Sequence, residues 1–209
     1  SIPNVIDAVF ETVSGFTTTG ASVLPEVESL SHCILFWRSF THWIGGMGVL
    51  VFLLSLLPLT GGGYHMNLMK AESPGPSVSK LVPKVQSTAK ILYGIYLALT
   101  LLEIVFLLCG GMPVFDALTT AFGTAGTGGF GIKNDSIASY STYIQVVVTV
   151  FMILFGVNFS AYFLIISGKL KQALHIEEIR WYLAIIAIAI ITITINVYHI
   201  YGSIAESLQ

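Results

Sequence analysis

Four apolar stretches, each long enough to cross a lipid bilayer, constrain this chain more than any other feature of its sequence. They cover residues 33–59, 90–109, 143–166 and 181–201. A membrane-spanning helix needs roughly 20 residues, and lipid offers no hydrogen-bond partner to an exposed backbone, so each stretch is predicted to be a helix. Charged residues make up only 10% of the chain, whereas a soluble domain carries about 25%. We therefore expect an all-α polytopic membrane protein, which excludes a soluble enzyme and a nucleic-acid-binding domain.

The basic residues predict how these stretches are oriented. Seven of the nine lie before or at the start of the second and fourth stretches: Lys70, Lys80, Lys84, Lys90, Lys169, Lys171 and Arg180. By the positive-inside rule both regions are cytoplasmic, which places residues 1–32 and 110–142 on the outer side. The chain begins with Ser1 and has no signal-peptide pattern, so we expect a segment of a longer protein.

Two shorter apolar segments lie on the predicted outer side. Residues 3–15 begin at Pro3 and end at Gly15, and residues 113–123 begin at Pro113 and end at Gly123, which predicts two short helices. Each would be roughly 18 Å long, little more than half of the ~30 Å hydrocarbon core. Such helices can enter the membrane but cannot cross it, so we expect them to be re-entrant.

The two short segments belong to an internal repeat. An offset of 109 residues aligns DAVFETVSGFTTTGAS with DALTTAFGTAGTGGFG, and it places Thr18 on Thr127 and Gly20 on Gly129. Each copy is followed by an apolar stretch with glycine near its middle. The repeated unit is predicted to be an outer helix, a short helix, a Gly/Thr-rich return and an inner helix, and internal repeats are common in transporters.

A Gly/Thr-rich return at membrane depth has a specific chemistry. Non-helical backbone is tolerated there only when it is buried in protein or lines a watery cavity. Glycine allows backbone angles that point successive carbonyls the same way, and rings of carbonyl oxygens replace the hydration shell of a monovalent cation. The returns are therefore predicted to bind cations. Alternatively, the Gly/Thr segments and the GGxG of the first stretch only pack helices together.

Other polar residues are expected to have ordinary roles. A solvated rim on the outer side is favoured over a specific ion site for Asp7, Glu11, Glu26, Glu28, Asp116 and Asp135. Arg38 and His42, near the outer end of the first stretch, are expected to snorkel to the interface. Glu103 should face protein, because an unpaired charge in lipid costs about 2.5–3.5 kcal/mol. For Glu103, a hydrogen bond to a Ser, Thr or Tyr is favoured over a proton relay.

Several strings, in this order, point to a family: FETVSGFTTTGAS, WRSFTHWIGGMGVLVF, AESPGP with KLVPK, and MPVFDALTTAFGTAGTGGFG. They closely resemble the Trk/Ktr/HKT potassium transporter superfamily, on its bacterial Trk side, and the resemblance covers nearly the whole chain. It implies membrane-pore-membrane repeats with re-entrant pore helices and filter loops, four of them around one pore in a single polypeptide.

The resemblance divides the chain into parts of such repeats. Residues 1–59 would hold the pore helix, filter loop and inner helix of one repeat, and residues 80–168 would be a complete repeat. Residues 177–209 would begin the next, while residues 60–79 and 169–176 would be cytoplasmic linkers. The missing repeats are expected from flanking sequence of the same polypeptide.

The resemblance also assigns site residues. The filter would bind potassium through the backbone carbonyls of Thr18, Thr19, Gly20 and Ala21 in one strand and of Thr127, Gly128, Gly129 and Phe130 in the next. An intramembrane gating loop below the filter would consist of Gly156, Val157 and Asn158.

The function we expect is potassium uptake by a multi-pass protein of the bacterial plasma membrane, with potassium as substrate and with no enzymatic activity or covalent cofactor. The resemblance implies a homodimer of the full-length protein and a cytoplasmic nucleotide-binding regulatory subunit, and the weak net charge of -2 predicts no nucleic-acid partner. A sodium- or proton-coupled secondary cation transporter and a non-conducting membrane scaffold are the alternatives. The sequence leaves ion coupling, the gating ligand and the oligomeric state open.

Overall fold

The structure, a computed structural model, describes residues 2, 4–48 and 85–201. All regular secondary structure in this part of the chain is helical, as the sequence predicts. The helices are α1 (Val5–Phe16), α2 (His32–Gly46), α3 (Val85–Cys109), α4 (Val114–Ala125), α5 (Thr142–Gly156), α6 (Phe159–Ile166), α7 (Leu170–Leu174) and α8 (Glu177–Tyr201). They belong to two compact units, Ser1–Gly156 and Val157–Gln209.

Two helices in the described residues are long and apolar enough to cross a membrane. They are Ala89–Cys109 in α3, with 21 residues, and Glu177–Tyr198 in α8, with 22 residues, each about 32 Å long. Helices α5 and α6 supply a third span if they are taken as one broken helix. The first predicted span is described only as far as residue 48, and the predicted linker at 60–79 lies outside the described residues. The chain is a multi-pass membrane protein.

The two predicted short helices are present, and both end slightly later than the sequence indicates. Asn4 caps α1, because its side-chain oxygen accepts a hydrogen bond from the Ile6 amide at 3.0 Å. Pro113 precedes α4, and its carbonyl accepts from the Ala117 amide at 2.8 Å. Each helix has 12 residues, about 18 Å, which is too short to cross the membrane.

The core of the first unit surrounds Trp43, which lies on α2 and faces α3 and α4. Its ring centroid lies 5.8 Å from that of Phe40, 5.5 Å from Tyr96 and 5.6 Å from Phe122. The Trp43 indole donates to the Thr100 hydroxyl at 3.1 Å, and the Tyr96 hydroxyl donates to the Trp43 carbonyl at 2.8 Å. Since a buried indole needs a partner for its N–H, these bonds fix α2 against α3.

Two glycines near the end of α2 allow it to approach both short helices. A Cβ on Gly45 would overlap the carbonyl of Phe16 at the end of α1. A Cβ on Gly46 would lie 2.8 Å from the Cα of Gly126, the residue after α4. The first two glycines of the GGxG motif therefore provide close packing, the alternative that the sequence left open.

The second unit has a small core of its own. The buried residues Ala161, Ala173 and Ile179 come from α6, α7 and α8, and Val157, Leu164 and Ile176 pack against them. Most of α8 is exposed, and none of the apolar part that could cross a membrane is buried. Its apolar surface is therefore available for lipid or for further protein.

Candidate cation-binding site

Helices α1 and α4 end with the same backbone hydrogen bonds, displaced by 109 residues. After α1, amides donate to carbonyls from Thr17 to Val13 (2.9 Å), from Thr18 to Gly15 (3.1 Å) and from Thr19 to Ser14 (3.0 Å). After α4, the bonds run from Gly126 to Phe122 (3.3 Å), from Thr127 to Thr124 (2.8 Å) and from Gly128 to Gly123 (3.3 Å). These bonds satisfy carbonyls that a helix end otherwise leaves unpaired. The sequence repeat is therefore also a repeat of backbone geometry.

The strands that leave the two helices share an alternating conformation. Thr18 and Gly20 have φ angles of 55° and 73°, and Thr127 and Gly129 have φ angles of 51° and 84°. The residue between each pair is not left-handed. A threonine with positive φ is uncommon, because its Cβ is crowded there. Alternation of this kind tilts successive peptide groups alike, so that their carbonyls share one side of the strand.

The carbonyls of these strands are largely free. Of the eight predicted to bind cations, seven accept no hydrogen bond from the part of the chain that the structure describes. The exception is Ala21, whose carbonyl accepts from the Ser14 hydroxyl at 2.6 Å. Of the eight residues only Phe130 is buried, so the others are accessible and their unpaired carbonyls offer ligands for a cation. Ala21 is the least available of the eight.

The two strands lie against each other. A Cβ on Gly20 would overlap the carbonyl oxygen of Gly128, and a Cβ on Gly128 would lie 3.1 Å from the carbonyl oxygen of Thr18. The structure therefore brings together predicted site residues that are more than a hundred positions apart in the sequence. Their role as cation ligands stays a prediction.

The expectation that Arg38 and His42 snorkel to the interface is wrong. Arg38 is only 6% exposed, and His42 is completely buried. The Arg38 Nε atom lies 3.2 Å from a carboxylate oxygen of Glu11 on α1. The other oxygen of Glu11 accepts from the Ser22 hydroxyl at 2.6 Å and from the Val23 amide at 2.7 Å. Because buried charges need partners, Arg38 is held inside the protein, and Glu11 does not belong to a solvated rim.

The other outer acidic residues are closer to the expectation. Glu28 accepts from the Asn134 amide at 3.1 Å, and Asn134 accepts from the Val27 amide at 2.9 Å, which ties the two outer segments together. Asp116 accepts from the Tyr140 hydroxyl at 2.7 Å. Burial and then this bond raise the pKa of Tyr140 above its usual range. Of the remaining acidic residues, Asp7 is partly exposed, and Glu26 and Asp135 are exposed.

Glu103 faces protein, as predicted, with its side chain completely buried on α3. Neither carboxyl oxygen has a hydrogen-bond partner among the described residues. Thr124 of α4 approaches the carboxyl, but its hydroxyl donates to the Thr120 carbonyl at 2.9 Å. The favoured neighbour, a threonine hydroxyl, is therefore present beside Glu103, but neither carboxyl oxygen makes a hydrogen bond to it or to another described residue.

The residues of the predicted gating loop lie at a break between two helices. Helix α5 ends at Gly156, and α6 begins at Phe159. Asn158 caps α6, because its side-chain oxygen accepts from the Ser160 amide at 2.9 Å. Its side-chain nitrogen donates to Glu178 at 2.9 Å. Asn158 thus provides a partner for the Ser160 amide at the break, while the role of residues 156–158 as a gate stays a prediction.

Comparison with known proteins identifies relatives of this chain. A family model for TrkH, described as a cation transport protein, matches residues 1–202. The Trk system potassium uptake protein TrkH of Salmonella typhimurium is 37% identical over 98% of this chain and 43% of its own length. The protein TrkG of Escherichia coli is 37% identical over 97% of this chain and 43% of its own length.

A solved structure agrees with these sequence matches. The crystal structure of the potassium transporter TrkH from Vibrio parahaemolyticus superposes with a TM-score of 0.78 at 31% identity. The match covers 98% of this chain and 42% of that one, so the chain spans less than half the length of the relatives it matches. Since the family model extends over nearly all of its residues, the chain belongs to the TrkH family of cation transport proteins.

Proposed function

We propose that the strands of residues 18–21 and 127–130 form adjacent parts of a selectivity filter for potassium ions. The observation that carries this proposal is the pair of matched strands, with alternating left-handed residues and seven carbonyls free of hydrogen bonds within the described residues. Such carbonyls can replace the hydration shell of a weakly hydrated monovalent cation. A scaffold that only packs helices has no use for unpaired carbonyls, so this feature favours conduction over the scaffold alternative.

The relatives support potassium as the substrate. Those from Salmonella typhimurium and Escherichia coli are named potassium uptake proteins, and the solved relative is named a potassium transporter. The full protein would take up potassium across the plasma membrane by carbonyl coordination, without covalent chemistry and without a covalent cofactor.

The arrangement of the whole protein is part of the same proposal. Residues 1–59 and 80–168 would contribute two filter strands, residues 177–209 would begin another repeat, and the remaining strands would come from further sequence of the same polypeptide. A homodimer of the full-length protein and a cytoplasmic nucleotide-binding regulatory subunit would complete the assembly. Gly156, Val157 and Asn158 would form the gate, since α5 and α6 are separate helices on either side of them.

Replacement of Gly129 by serine tests the filter. Gly129 has a φ of +84° with nothing within 4 Å of an added Cβ, so serine meets no clash there and the cost is that of a left-handed side chain, about 1–2 kcal/mol. We expect Gly129→Ser to lower the preference for potassium over sodium at least about fivefold. The measurement is rubidium uptake into liposomes that contain the full-length protein, with potassium and sodium as competitors.

Gly111→Ser is the matched control, because Gly111 has a φ of +80° and equally open surroundings but lies between α3 and α4. It should leave the ion preference unchanged. If Gly129→Ser and Gly111→Ser have the same preference as the unmodified protein, the filter assignment is wrong. Flux that depends stoichiometrically on sodium or pH would favour the coupled secondary transporter, and absence of any flux would favour the scaffold.

A further inference from the structure

Two glycines, one directly before the second strand and one within it, are not explained by backbone conformation. Gly126 and Gly128 are not left-handed, and the first strand has Thr17 and Thr19 at the equivalent positions. A Cβ on Gly128 would overlap the imidazole ring of His42, and a Cβ on Gly126 would lie 2.6 Å from the His42 carbonyl oxygen. Both positions therefore exclude a side chain because His42 occupies the space.

The side chain of His42 lies between α2 and the second strand. It is completely buried, and its ring centroid lies 4.0 Å from that of Phe130 in an edge-to-face arrangement. Its Nε2 atom has no hydrogen-bond partner among the described residues. The other ring nitrogen, Nδ1, lies 3.5 Å from the carbonyl oxygen of Arg38, one turn earlier on α2. Because a buried polar atom without a partner costs free energy, this one long contact does not account for a histidine at this position. What the ring does provide is close packing against the second strand at Gly128 and Phe130.

Arg38 lies one turn before His42 on the same face of α2 and connects the two strands. Its Nη2 atom donates to the Ser22 hydroxyl at 3.3 Å, directly after the first strand. Its guanidinium carbon lies 4.3 Å from the ring centroid of Phe130, in the second strand. The ion pair with Glu11 holds Arg38 in place. Arg38 is also buried, and a cation–π contact is stronger where the cation is desolvated.

The second copy of the repeat provides an internal comparison. Helices α2 and α5 both have 15 residues, and aligning them end to end places Val148 at the position of Arg38 and Met152 at that of His42. The offset of 109 places Thr120 at the position of Glu11. The ion pair and the imidazole are therefore absent together from the second copy. The repeated fold therefore does not require the ion pair or the imidazole, and we infer that both have a more specific role in the first copy.

We propose that Arg38 and His42 are positioning residues that hold the second filter strand at a fixed distance from the first, and that they thereby contribute to the choice between potassium and sodium. This inference rests on the proposed filter function. Neither residue touches the ion. His42 blocks inward movement of the strand at Gly128, and Arg38 anchors Phe130 to the end of the first strand.

A cycle of alanine variants in the full-length protein tests the role of His42. Gly128→Ala should reduce rubidium uptake and thermal stability because its methyl group meets the imidazole ring. His42→Ala should lower the preference for potassium over sodium. Because the two residues are in contact, their effects should be coupled: the double variant His42→Ala/Gly128→Ala should take up rubidium about threefold faster than Gly128→Ala alone.

Gly126→Ala is the matched control, because its methyl group meets the backbone carbonyl of residue 42, which His42→Ala retains. It should not be rescued. If His42→Ala restores neither glycine variant, or restores both equally, or leaves the ion preference unchanged, the role assigned to His42 is wrong. The melting temperatures of the same variants test the contact between His42 and Gly128 without any transport measurement. If the unmodified protein transports no cation, that result contradicts the proposed function, and the melting temperatures still test this contact.

A second set of variants separates positioning by Arg38 from its role as partner of a buried charge. Glu11→Thr and Arg38→Val alone each leave an unpaired buried charge and should be strongly destabilising. The double variant has the residues of the second copy and should regain most of the thermal stability, but its preference for potassium should stay below that of the unmodified protein. Full recovery of the ion preference in the double variant would show that Arg38 only neutralises Glu11, and would overturn its assignment as a positioning residue.

Discussion

Two buried carboxyl groups in this protein, those of Glu11 and Glu103, differ in their hydrogen-bond partners. The carboxylate of Glu11 receives hydrogen bonds from Ser22, Val23 and Arg38. The carboxyl of Glu103 is equally buried, and neither of its oxygens has a hydrogen-bond partner among the described residues. A buried polar group without a hydrogen bond lowers stability. Glu103 therefore either destabilises the protein without contributing to function, or it has a function outside the proposed filter.

Glu103→Leu distinguishes these two cases. If Glu103 only occupies space, an apolar side chain of similar size removes an unpartnered polar group and should raise stability by about 1–3 kcal/mol. Potassium uptake and its pH dependence should be unchanged. Thermal unfolding and the pH dependence of uptake by the full-length protein are the measurements.

Leu107→Ala, also completely buried on α3, is the control for packing and should be destabilising by about 2–5 kcal/mol. Uptake that is reduced in Glu103→Leu and no longer depends on pH would identify a proton relay. That result would favour the coupled secondary transporter.

The limits of prediction at this scale have a physical cause. The position of Glu103 was predictable, because a carboxyl in a long apolar stretch must avoid lipid. The burial of Arg38 was not, because its partner Glu11 is 27 residues away on another helix and nothing local requires that the two meet. One signal was present in the sequence: the second copy lacks both charges, with Thr120 and Val148 at the corresponding positions.

At the scale of elements, the short helices were predictable and their ends were less so. Proline, glycine and the repeat predict α1 and α4 to within three residues at each end. Both helices continue past the predicted glycine because the following amides still find carbonyls in the last turn. The left-handed threonines could not be predicted from propensity, since threonine disfavours that conformation, but the repeat of Thr18 at Thr127 is a signal of a shared constraint.

The break between α5 and α6 yields a prediction about gating. Asn158 donates to Glu178 in the first turn of α8, and this bond restrains the proposed gating loop. Glu178→Ala removes the acceptor and should raise the rate of potassium uptake about threefold, the effect of one modest hydrogen bond. Glu178→Gln keeps an acceptor oxygen and should behave as the unmodified protein does.

Glu177→Ala is the matched control, because Glu177 is an exposed neighbour with the same charge in the same first turn. It should leave the rate unchanged. If Glu177→Ala and Glu178→Ala have equal rates, the bond to Asn158 does not restrain the loop. Rubidium uptake at equal amounts of protein in the membrane measures the difference.

At the scale of the whole molecule, composition and hydropathy were sufficient for the class of protein. A low charge content and long apolar stretches predict membrane helices, and α3 and α8 confirm two of them. The contact between the strands was not predictable, because it depends on how α2 packs against both short helices through Gly45 and Gly46. The sequence indicates which residues can be cation ligands, whereas tertiary packing determines which of them become neighbours.

The two strands have similar backbone geometry but different side chains. This difference affects how mutations can change the proposed filter. In an assembly of identical subunits, one mutation changes every side of the ring at once. Here each strand has its own codons, so a mutation at Gly128 leaves Thr19 as it was. An ion between the strands would have threonine side chains on one flank and an imidazole behind the other. In the proposed filter, each strand could therefore be altered separately, in small steps.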